Sequence, residues 1–567
     1  MKRNAINIFL EDKMGKNKTK HSVIIVLAIV VALFTCNFVR SDFEIAKNLD
    51  IYASLFKELD ANYVDEINVT DLNKTAIDAM LNKLDPYTVY YPESDLEEFK
   101  LMTTGQYGGI GATIQQGDDY VMISEPYDNW PAFKAGLQPG DKIIEIGGKD
   151  MKKKSVSDVS SLLKGQPGTT VSLGIIPYGK NKTVKKDIVR EEIKLPPVSY
   201  YGMVADEIGY IRLDQFTDNA SMEVKNAFMK LKEQNMQNLI LDLRGNGGGL
   251  LTEAVNIVNF FVDRGNLVVS TKGKAEDRNQ NYYTMNTPLD TKIPLTVLVD
   301  GMSASASEIV AGALQDLDRA VIIGQRTYGK GLVQNVLPLS YNTRLKVTVS
   351  KYYLPSGRCV QKVDYFHKDS TGKSSSKADS SAMAFKTKGG RVVYDYGGVE
   401  PDVVITNENY STVLLAMFQK NIIFNYANEF KLKNNSIPSI DKFVFTDAMY
   451  DDFLKYVSDK HLEYETFTEK QIKQLKESVE ADKFTDNVSE VIKTLEAAVA
   501  KDKSTDLIRF KKEISEMLEI EIVSRYYSQK GKIEASLKID PELKQASGLL
   551  KDNADFTSIL KGTHKKN

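Results

Sequence analysis

The sequence predicts a multidomain α+β protein with an N-terminal transmembrane helix, a β-rich domain, an α/β core and a C-terminal helical region. Three observations lead to this fold class. The chain has 567 residues, whereas single hydrophobic cores stop growing at roughly 250–300 residues. One uncharged apolar run lies near the N-terminus. Beyond it the hydrophobic periodicity changes from helical to strand-like, then to alternating strands and helices, and finally back to helical.

Composition excludes several classes of protein. Hydrophobic residues make up 42% and charged residues 26% of the chain, which is typical of globular proteins and not of disordered ones. Lys and Arg number 74 against 76 Asp and Glu, for a net charge of −2, so nucleic acid is not an expected partner. The two cysteines, Cys36 and Cys359, exclude a disulfide framework and a cysteine-based zinc site. We expect no metal and no cofactor.

The N-terminus predicts a membrane anchor. Residues 1–21 are polar and basic and precede an uncharged apolar run at 22–39, which as a helix spans roughly 27 Å, enough for a bilayer core. The charge bias places the N-terminus in the cytoplasm and the chain after Arg40 outside it. A cleavage site does not follow clearly, so an uncleaved anchor is favoured. A lipoprotein site at Cys36 is the alternative, but Phe34 is bulky where small residues are expected.

Four further regions follow the anchor. Residues 42–100 have helical spacing, and 101–190 contain short strand-like runs between glycine-rich turns. Strands and helices alternate over 195–410, which predicts an α/β layer structure. Within it, 367–390 are rich in Ser and Lys and are expected to form a mobile surface insertion. Residues 411–567 are highly charged with helical periodicity, and their role stays open.

Three strands are expected to be buried within the α/β region. The first, at 239–243, runs into glycines and then a helix from about 251 to 261. The second, at 295–299, is followed by a helix from about 305 to 314, and the third lies at 321–323.

A glycine-rich loop in the β-rich segment suggests a binding site for a peptide. Gly109, Ile110 and Gly111 lie in a loop that opens a strand, and backbone N–H groups there can face a peptide carboxylate. The peptide could then extend the sheet along 110–114. Together with a second turn at 136–141, this spacing resembles a PDZ domain, which implies recognition of protein C-termini.

Two strand-to-helix junctions are candidates for chemistry. Asp242 to Gly249 places glycines before a helix N-terminus, which suits a phosphate or an oxyanion, and the motif alone leaves both open. In the run from Ser303 to Glu308, three serines alternate with small residues. Serine is a common N-cap, but small neighbours also leave room for a substrate beside a nucleophilic hydroxyl. The N–H that follows such a nucleophile can stabilise an oxyanion.

The run from Gly324 to Gly331 resembles part of a phosphate-binding P-loop. It matches G-x-x-x-x-G-K, but Gly331 replaces the magnesium-binding Ser or Thr. The next segment, 332–337, alternates like a strand, whereas a P-loop needs a helix there. Nucleotide binding is therefore the least favoured function.

A serine nucleophile needs a base, and the histidines are poorly placed to supply one. The four lie before the apolar run, in the Ser/Lys-rich insertion and in the charged tail: His21, His367, His461 and His564. A lysine whose pKa is lowered by burial can take this role. Lys330 lies between glycines beside apolar strands and suits it.

Together these motifs resemble the carboxyl-terminal processing peptidases, the tail-specific serine proteases of the S41 type. The resemblance rests on 303–308, 327–334 and the separation 330 − 305 = 25, and it covers about residues 50–410. It implies a crotonase-like fold for the core and a PDZ domain that senses substrate C-termini. It also implies site roles, which are these: nucleophile Ser305; general base Lys330; Gln334 to position the lysine; oxyanion N–H groups of Ala306 and Gly249.

The sequence thus predicts a membrane-anchored extracytoplasmic serine endopeptidase that binds protein C-termini. Its expected place is a bacterial inner membrane, with most of the chain in the periplasm or outside the cell. The resemblance also suggests a homodimer formed through the N-terminal helices. A catalytically inactive adaptor that keeps only the PDZ function is the main alternative.

Overall fold

The computed structural model describes residues 43–564 except 96–99, 102, 369–373, 377–380, 396, 407–409, 461 and 484–485. The predicted anchor at 22–39 lies outside the described residues. Among those that are described, no helix has the length and apolar character needed to cross a membrane. The chain divides into two units, 1–83 and 84–567. In the first, α1 covers 43–62 and α2 covers Val69–Leu81.

The second unit opens with a strand that the sequence did not predict. Helical spacing indicated a helical region up to residue 100, but β1, Val89–Tyr91, pairs antiparallel with β18, Arg344–Tyr353. Pro86 and Pro92 flank this segment and disfavour a continuous helix. The three residues of β1 are β-branched or aromatic, types that favour strands.

The β-rich domain is a six-stranded antiparallel sheet in the order β3-β4-β5-β7-β8, with β6 paired to β5. Strand β3 lies at its edge, as a peptide-accepting strand would. A short ladder, β2 with β9, joins the two ends of the domain. Its elements are β2 Gln106–Gly109, β3 Ala112–Gln116, β4 Val121–Pro126, α3 Pro131–Lys134, β5 Lys142–Ile146, β6 Lys149–Asp150, α4 Val156–Leu163, β7 Thr170–Ile176, β8 Val184–Val189 and β9 Glu191–Lys194.

The α/β core contains two sheets. The main sheet has the order β10-β11-β12-β15-β16-β23 and is parallel except for the pair β10–β11. The second sheet has the order β1-β18-β13-β14, and β17 also pairs with β18. The remaining elements are β10 Val198–Ala205, β11 Ile208–Leu213, α5 Ala220–Lys232, β12 Asn238–Asp242, α6 Leu251–Asn259, β13 Leu267–Gly273, β14 Gln280–Tyr283, β15 Leu295–Val299, α7 Ala306–Asp316, β16 Val321–Gly324, β17 Leu332–Pro338 and β23 Val403–Val404.

Sequence periodicity located the central elements of this core well. The buried strands predicted at 239–243, 295–299 and 321–323 correspond to β12, β15 and β16, and the helices after the first two are α6 and α7. Within the predicted insertion at 367–390, the described residues include strands of two hairpins. These strands are β19 Val363–Lys368, β20 Ser374–Ser376, β21 Ala384–Lys386 and β22 Val392–Tyr394.

The C-terminal region is helical, as its periodicity predicts, and one part of it completes the core. Ile533, Leu543 and Phe556 pack with Tyr210 and Leu298 of the main sheet, so both faces of this parallel sheet are covered. The helices are α8 Thr412–Gln419, α9 Ile422–Lys433, α10 Asp447–Ser458, α11 Phe467–Ala481, α12 Asp486–Lys503, α13 Asp506–Arg509, α14 Lys511–Leu537, α15 Pro541–Lys551 and α16 Asn553–Leu560.

Candidate active site

The three alternating serines have different environments. Ser303 is fully buried, and its hydroxyl donates to the carbonyl of Leu243 at 2.8 Å. Ser307 is also buried and donates to the carbonyl of Asn246 at 2.8 Å. Ser305 instead lines a cavity of about 670 Å³. Two of the hydroxyls therefore hold the glycine loop in place, and Ser305 is the one that faces a space for substrate.

Ser305 lies at a turn with an unusual backbone conformation. It directly precedes α7, with φ 57° and ψ −111°, a conformation that side-chain-bearing residues rarely adopt. The carbonyl of Ser305 accepts a hydrogen bond from Tyr352 Oη at 3.2 Å. Its N–H donates to the Glu308 carboxylate at 2.8 Å. Surrounding contacts thus hold a sharp turn from strand to helix.

The glycine loop after β12 closes tightly around this serine. Gly248 has φ +99°, and a Cβ there would lie 2.6 Å from the carbonyl oxygen of Ala304. Gly249 has φ +146° and contacts the backbone of Phe216. Gly249 and Ala306 both line the cavity with Ser305. Among the described residues neither of their N–H groups has an acceptor, as an oxyanion hole requires.

Lys330 lines the same cavity as Ser305. Burial lowers the pKa of Lys330 to about 8, and the nearby charge of Lys346 acts in the same direction, while Glu308 and Asp85 oppose it. Its ammonium lies 4.6 Å from the centre of the Tyr87 ring. The neutral form of Lys330 is therefore well populated slightly above neutral pH, as a general base needs.

Glu308, to which no motif assigned a role, connects the serine turn to the lysine loop. It is fully buried, and its two oxygens accept four hydrogen bonds. The donors are Ser305 N, Thr327 Oγ1, Gly329 N and Lys330 N, at 2.7 to 2.9 Å. Although burial raises the pKa of Glu308, four donors to two oxygens match the ionised carboxylate. The spacing Ser305-x-x-Glu308 is that of a capping box, so a sequence signal for this residue existed.

These contacts are incompatible with a P-loop. The backbone N–H groups of Gly329 and Lys330, which would face phosphates, are bonded to Glu308. The segment after Gly331 is strand β17, as its alternation predicts, and no helix follows. The nucleotide-binding alternative depends on a P-loop followed by a helix, and strand β17 at that place shows that this prediction is wrong.

Gln334 lies on β17 and also lines the cavity. Its Nε2 donates to Thr348 Oγ1 at 3.2 Å. The backbone N–H of Thr348 donates to Thr88 Oγ1, which in turn donates to the buried Asp85. Contact between Gln334 and Lys330 stays a prediction. The loop before β1 thus supports β18 through Thr88. Sequence reasoning missed this loop because it lay in the region predicted to be helical.

The described histidines lie away from this cavity. The side chain of His367 is 86% exposed and pairs with Asp364, and His564 contacts Ser558 near the C-terminus. His21 and His461 lie outside the described residues. Among the described residues, Lys330 and not a histidine is therefore the candidate base in the cavity of Ser305.

Of the three residues predicted to form the carboxylate-binding loop, Gly109 is instead the last residue of β2, and Ile110 and Gly111 join β2 to the edge strand β3. Gly109 and Ile110 are buried, and Gly111 has φ +73°. The carbonyl of Ile110 accepts from Ala132 N at 2.7 Å. Ligand contacts by these three residues stay predictions.

Curated relatives decide the family. The chain is 35% identical over 319 residues to the carboxy-terminal-processing protease of Bartonella bacilliformis, a match that covers 56% of this chain and 73% of that protein. The chain belongs to peptidase family S41. It is also 35% identical to a probable CtpA-like serine protease of Staphylococcus aureus, over 55% of this chain and 62% of that protein.

Family models place the domains of this S41 peptidase along the chain. The model of peptidase family S41 matches 207–366, and a PDZ domain model matches 122–176. A third model, described as a probable PDZ-protease C-terminal helical domain, matches 413–550. The prediction of a PDZ domain, an S41 protease core and a C-terminal helical domain is confirmed. A crotonase-like core stays a prediction.

Solved structures similar to this chain carry related descriptions. A photosystem II D1 C-terminal processing protease is 29% identical, with a TM-score of 0.34, over 62% of this chain and 92% of that one. The PDZ domain of a carboxy-terminal protease from Vibrio cholerae, in complex with a peptide, is 37% identical with a TM-score of 0.15, over 16% of this chain and 99% of that one. The curated relative and the family model, and not these structures, show that the chain is a serine-type peptidase of the carboxy-terminal-processing class.

Proposed function

We propose that this S41 peptidase cleaves polypeptides with a Ser305–Lys330 dyad after its PDZ domain has captured a protein C-terminus. The observation that carries the proposal is that Ser305, Lys330, Gly249 and Ala306 line one cavity. A nucleophile, a base of lowered pKa and two unpaired N–H donors thus face the same space.

The reaction follows from these positions. Neutral Lys330 removes the proton of the Ser305 hydroxyl as its oxygen attacks the peptide carbonyl carbon. The N–H groups of Ala306 and Gly249 stabilise the resulting oxyanion. Protonated Lys330 then gives its proton to the leaving amine, and an acyl-enzyme forms at Ser305. Water, deprotonated by Lys330, hydrolyses this ester and restores both groups.

The dyad is tested by removing each member. We expect purified Ser305→Ala and Lys330→Ala variants to lose turnover of an unstructured peptide while they still bind it. Undiminished proteolysis by Lys330→Ala would contradict the mechanism. A fluorophosphonate probe tests the adaptor alternative, since covalent labelling of Ser305 requires an activated serine. Labelling of the wild type but not of Ser305→Ala excludes an inactive core.

We also propose that residues 22–39 anchor the chain in a membrane, with the peptidase outside the cytoplasm. The uncharged run and the basic segment before it support this placement. Fractionation of cells that express the whole chain tests it. Recovery in the soluble cytoplasmic fraction would contradict the anchor. Dimerisation through the N-terminal helices stays a prediction, and the oligomeric mass of the purified chain tests it.

A further inference from the structure

The loop before β1 places an aromatic ring against the candidate base. The centre of the Tyr87 ring lies 4.6 Å from the Lys330 ammonium. Lys330 lines the cavity of Ser305, and Tyr87 does not. A cation at this distance over a ring face is attracted by the electron density of that face. Lys330 therefore faces the substrate cavity on one side and an aromatic ring on another.

Both carboxylates near Lys330 are engaged by other donors. Glu308 accepts four hydrogen bonds from the serine turn and the lysine loop, and Asp85 accepts three from its own loop. A third charged group, Lys346 of β18, repels the ammonium. The face of the Tyr87 ring is thus well placed to compensate a positive charge on Lys330.

Three contacts hold the Tyr87 ring in place. Its backbone N–H donates to Asp85 Oδ1 at 2.8 Å, and Pro86 before it restricts the backbone further. The ring of Tyr365, on β19, meets it edge to face, with ring centres 5.9 Å apart and planes at 88°. The hydroxyl of Tyr328, which belongs to the lysine loop, interacts with that of Tyr87. The ring is therefore fixed from both loops.

Tyr87 stays uncharged where Lys330 titrates. Burial raises the pKa of Tyr87, whereas burial lowers the pKa of Lys330 to about 8. Over the pH range in which the lysine gains and loses its proton, the phenol keeps its own. Tyr87 thus presents a neutral ring to the lysine and not a phenolate.

We propose that Tyr87 is a positioning residue for the base, whose ring face stabilises the Lys330 ammonium that forms when the Ser305 proton is taken up. The ring favours the protonated lysine and burial favours the neutral one, so the two act in opposite directions. The ring also holds the ammonium beside the cavity until it protonates the leaving amine. This inference rests on the proposed function, because it gives a partner to Lys330 acting as the base.

Two substitutions at Tyr87 separate the ring from its hydroxyl. Tyr87→Phe keeps the ring and should leave kcat/KM and its pH profile near those of the wild type. Tyr87→Leu removes the ring but keeps an apolar side chain. The protonated lysine then loses its partner, so the rise in kcat/KM should move to lower pH by about half to one unit. The plateau should fall about three- to tenfold, because the ammonium formed in the reaction is less stable.

A merely structural role would not give this pair of changes. A ring that only excludes water would, when lost, hydrate Lys330 and move the profile to higher pH. A lower plateau with an unmoved midpoint would mean that the ring only supports its loop. Either result would overturn the proposal, and so would a Tyr87→Phe variant as impaired as Tyr87→Leu. Tyr87→Met, which fills the site with a longer apolar side chain, repeats the test if Tyr87→Leu does not fold.

Tyr353→Leu is the matched control. The Lys272 ammonium lies 4.7 Å from the centre of the Tyr353 ring, so this variant removes a contact of the same kind and nearly the same length. Tyr353 does not line the cavity of Ser305. Its pH profile should superimpose on that of the wild type. A shift equal to that of Tyr87→Leu would mean that the effect does not depend on the contact with Lys330.

The rate at which a fluorophosphonate labels Ser305, measured from pH 6 to 10, separates this inference from the proposed function. A wild-type chain that is not labelled, or is labelled at a rate independent of pH, would remove the dyad and the role of Tyr87 with it. A wild-type rate that rises near pH 8, together with an unshifted rate in Tyr87→Leu, would leave the dyad intact and remove only the role of Tyr87.

Discussion

Lys330 is the residue whose chemistry predicts a pH dependence. Burial lowers its pKa to about 8, so below that pH most molecules carry a protonated lysine that cannot accept a proton. We expect kcat/KM to rise about tenfold per pH unit up to roughly pH 8 and then to level off. Initial rates on a peptide without ionisable side chains, measured from pH 6 to 10, test this. A flat profile would contradict a lysine base.

Lys346 provides a way to shift that profile. Its positive charge contributes to the lowered pKa of Lys330, and it lies on β18 at the wall of the same cavity. Replacing it by methionine removes the charge but keeps the length of the side chain, so the pKa of Lys330 should rise. We expect the rise in kcat/KM to move to higher pH, with lower activity at pH 7. An unshifted profile would mean that burial alone sets the pKa of Lys330.

Glu308 should act as a positioning residue. Glu308→Gln replaces one acceptor oxygen by an NH₂ group, which faces backbone N–H donors that it cannot bind. We expect kcat to fall roughly 10- to 100-fold, with KM little changed, because the residue holds Ser305 and Lys330 and does not contact substrate. Thr327→Val removes one of the four donors and should have a smaller effect. A loss confined to KM would contradict this role.

At this scale, sequence reasoning named residues that line one cavity, but not the contacts that support them. The resemblance to S41 peptidases identified Ser305 as the expected nucleophile and Lys330 as the expected base. Spacing alone could not show which of Ser303, Ser305 and Ser307 has a hydroxyl free to react. The distinction depends on which carbonyls the other two hydroxyls reach, and those carbonyls come from a loop about sixty residues away in the chain. Glu308 was visible as a capping box, but its contacts to residues 329 and 330 exist only in the fold.

The glycine loop after β12 illustrates how an element fixes the site. A methyl group at Gly248 would lie 2.6 Å from the Ala304 carbonyl and 2.8 Å from Ser305 Cβ. Because φ at this position is +99°, an alanine is strained as well. We expect Gly248→Ala to displace the Ser305 turn and to lower kcat about 100-fold. Steady-state kinetics on the purified variant provide the measurement.

Gly247 is the matched control for this prediction. A Cβ there would have no heavy atom within 4 Å. Gly247→Ala should therefore retain most of the activity and a near-normal melting temperature. Equal activity of Gly247→Ala and Gly248→Ala would mean that close packing against Ser305 does not require a glycine at 248.

Elements with strong local signals were predictable, and those defined by distant partners were not. Strands β12, β15 and β16 are nearly continuous apolar runs, as expected for strands buried on both faces. In contrast, β1 has only three residues, and its pairing with β18 depends on a partner some 250 positions away. Helical spacing of the preceding residues therefore outweighed a short Val-Tyr-Tyr signal.

Over the whole molecule, the role of the C-terminal helices could not be read from the sequence. Charge and helical periodicity left their role open, yet Leu543 and Phe556 complete the core beneath the main sheet. Other contacts join the same domain to the PDZ domain. Asn421 Nδ2 donates to the Gln116 carbonyl at 3.1 Å, and Tyr178 Oη donates to the Asn425 carbonyl at 3.0 Å. Which face of a charged helix is buried depends on partners that periodicity does not identify.

An ionic network joins the protease core to the C-terminal helices. Arg244 follows β12 and bonds to Asp242, Asp540 and Glu542 at 2.6 to 3.0 Å. Burial alone would raise the pKa of Asp242, but the Arg244 guanidinium and hydrogen bonds hold it below its usual value. This carboxylate therefore stabilises the fold above its unfolded pKa, and the contribution is lost as the pH falls through its folded pKa.

Arg244→Ala leaves three carboxylates together without their cation. We expect the free energy of unfolding at pH 7 to fall by about 3–5 kcal/mol. The difference from the wild type should shrink as the pH falls through the lowered folded pKa of Asp242, where that carboxylate loses its charge and with it the ion pair to Arg244. Denaturant unfolding across pH 3 to 8 measures this. Arg244→Lys, which keeps one charge but cannot form the forked contacts, should lie between the two. A difference that is independent of pH would mean that Arg244 acts through packing and not through its charge.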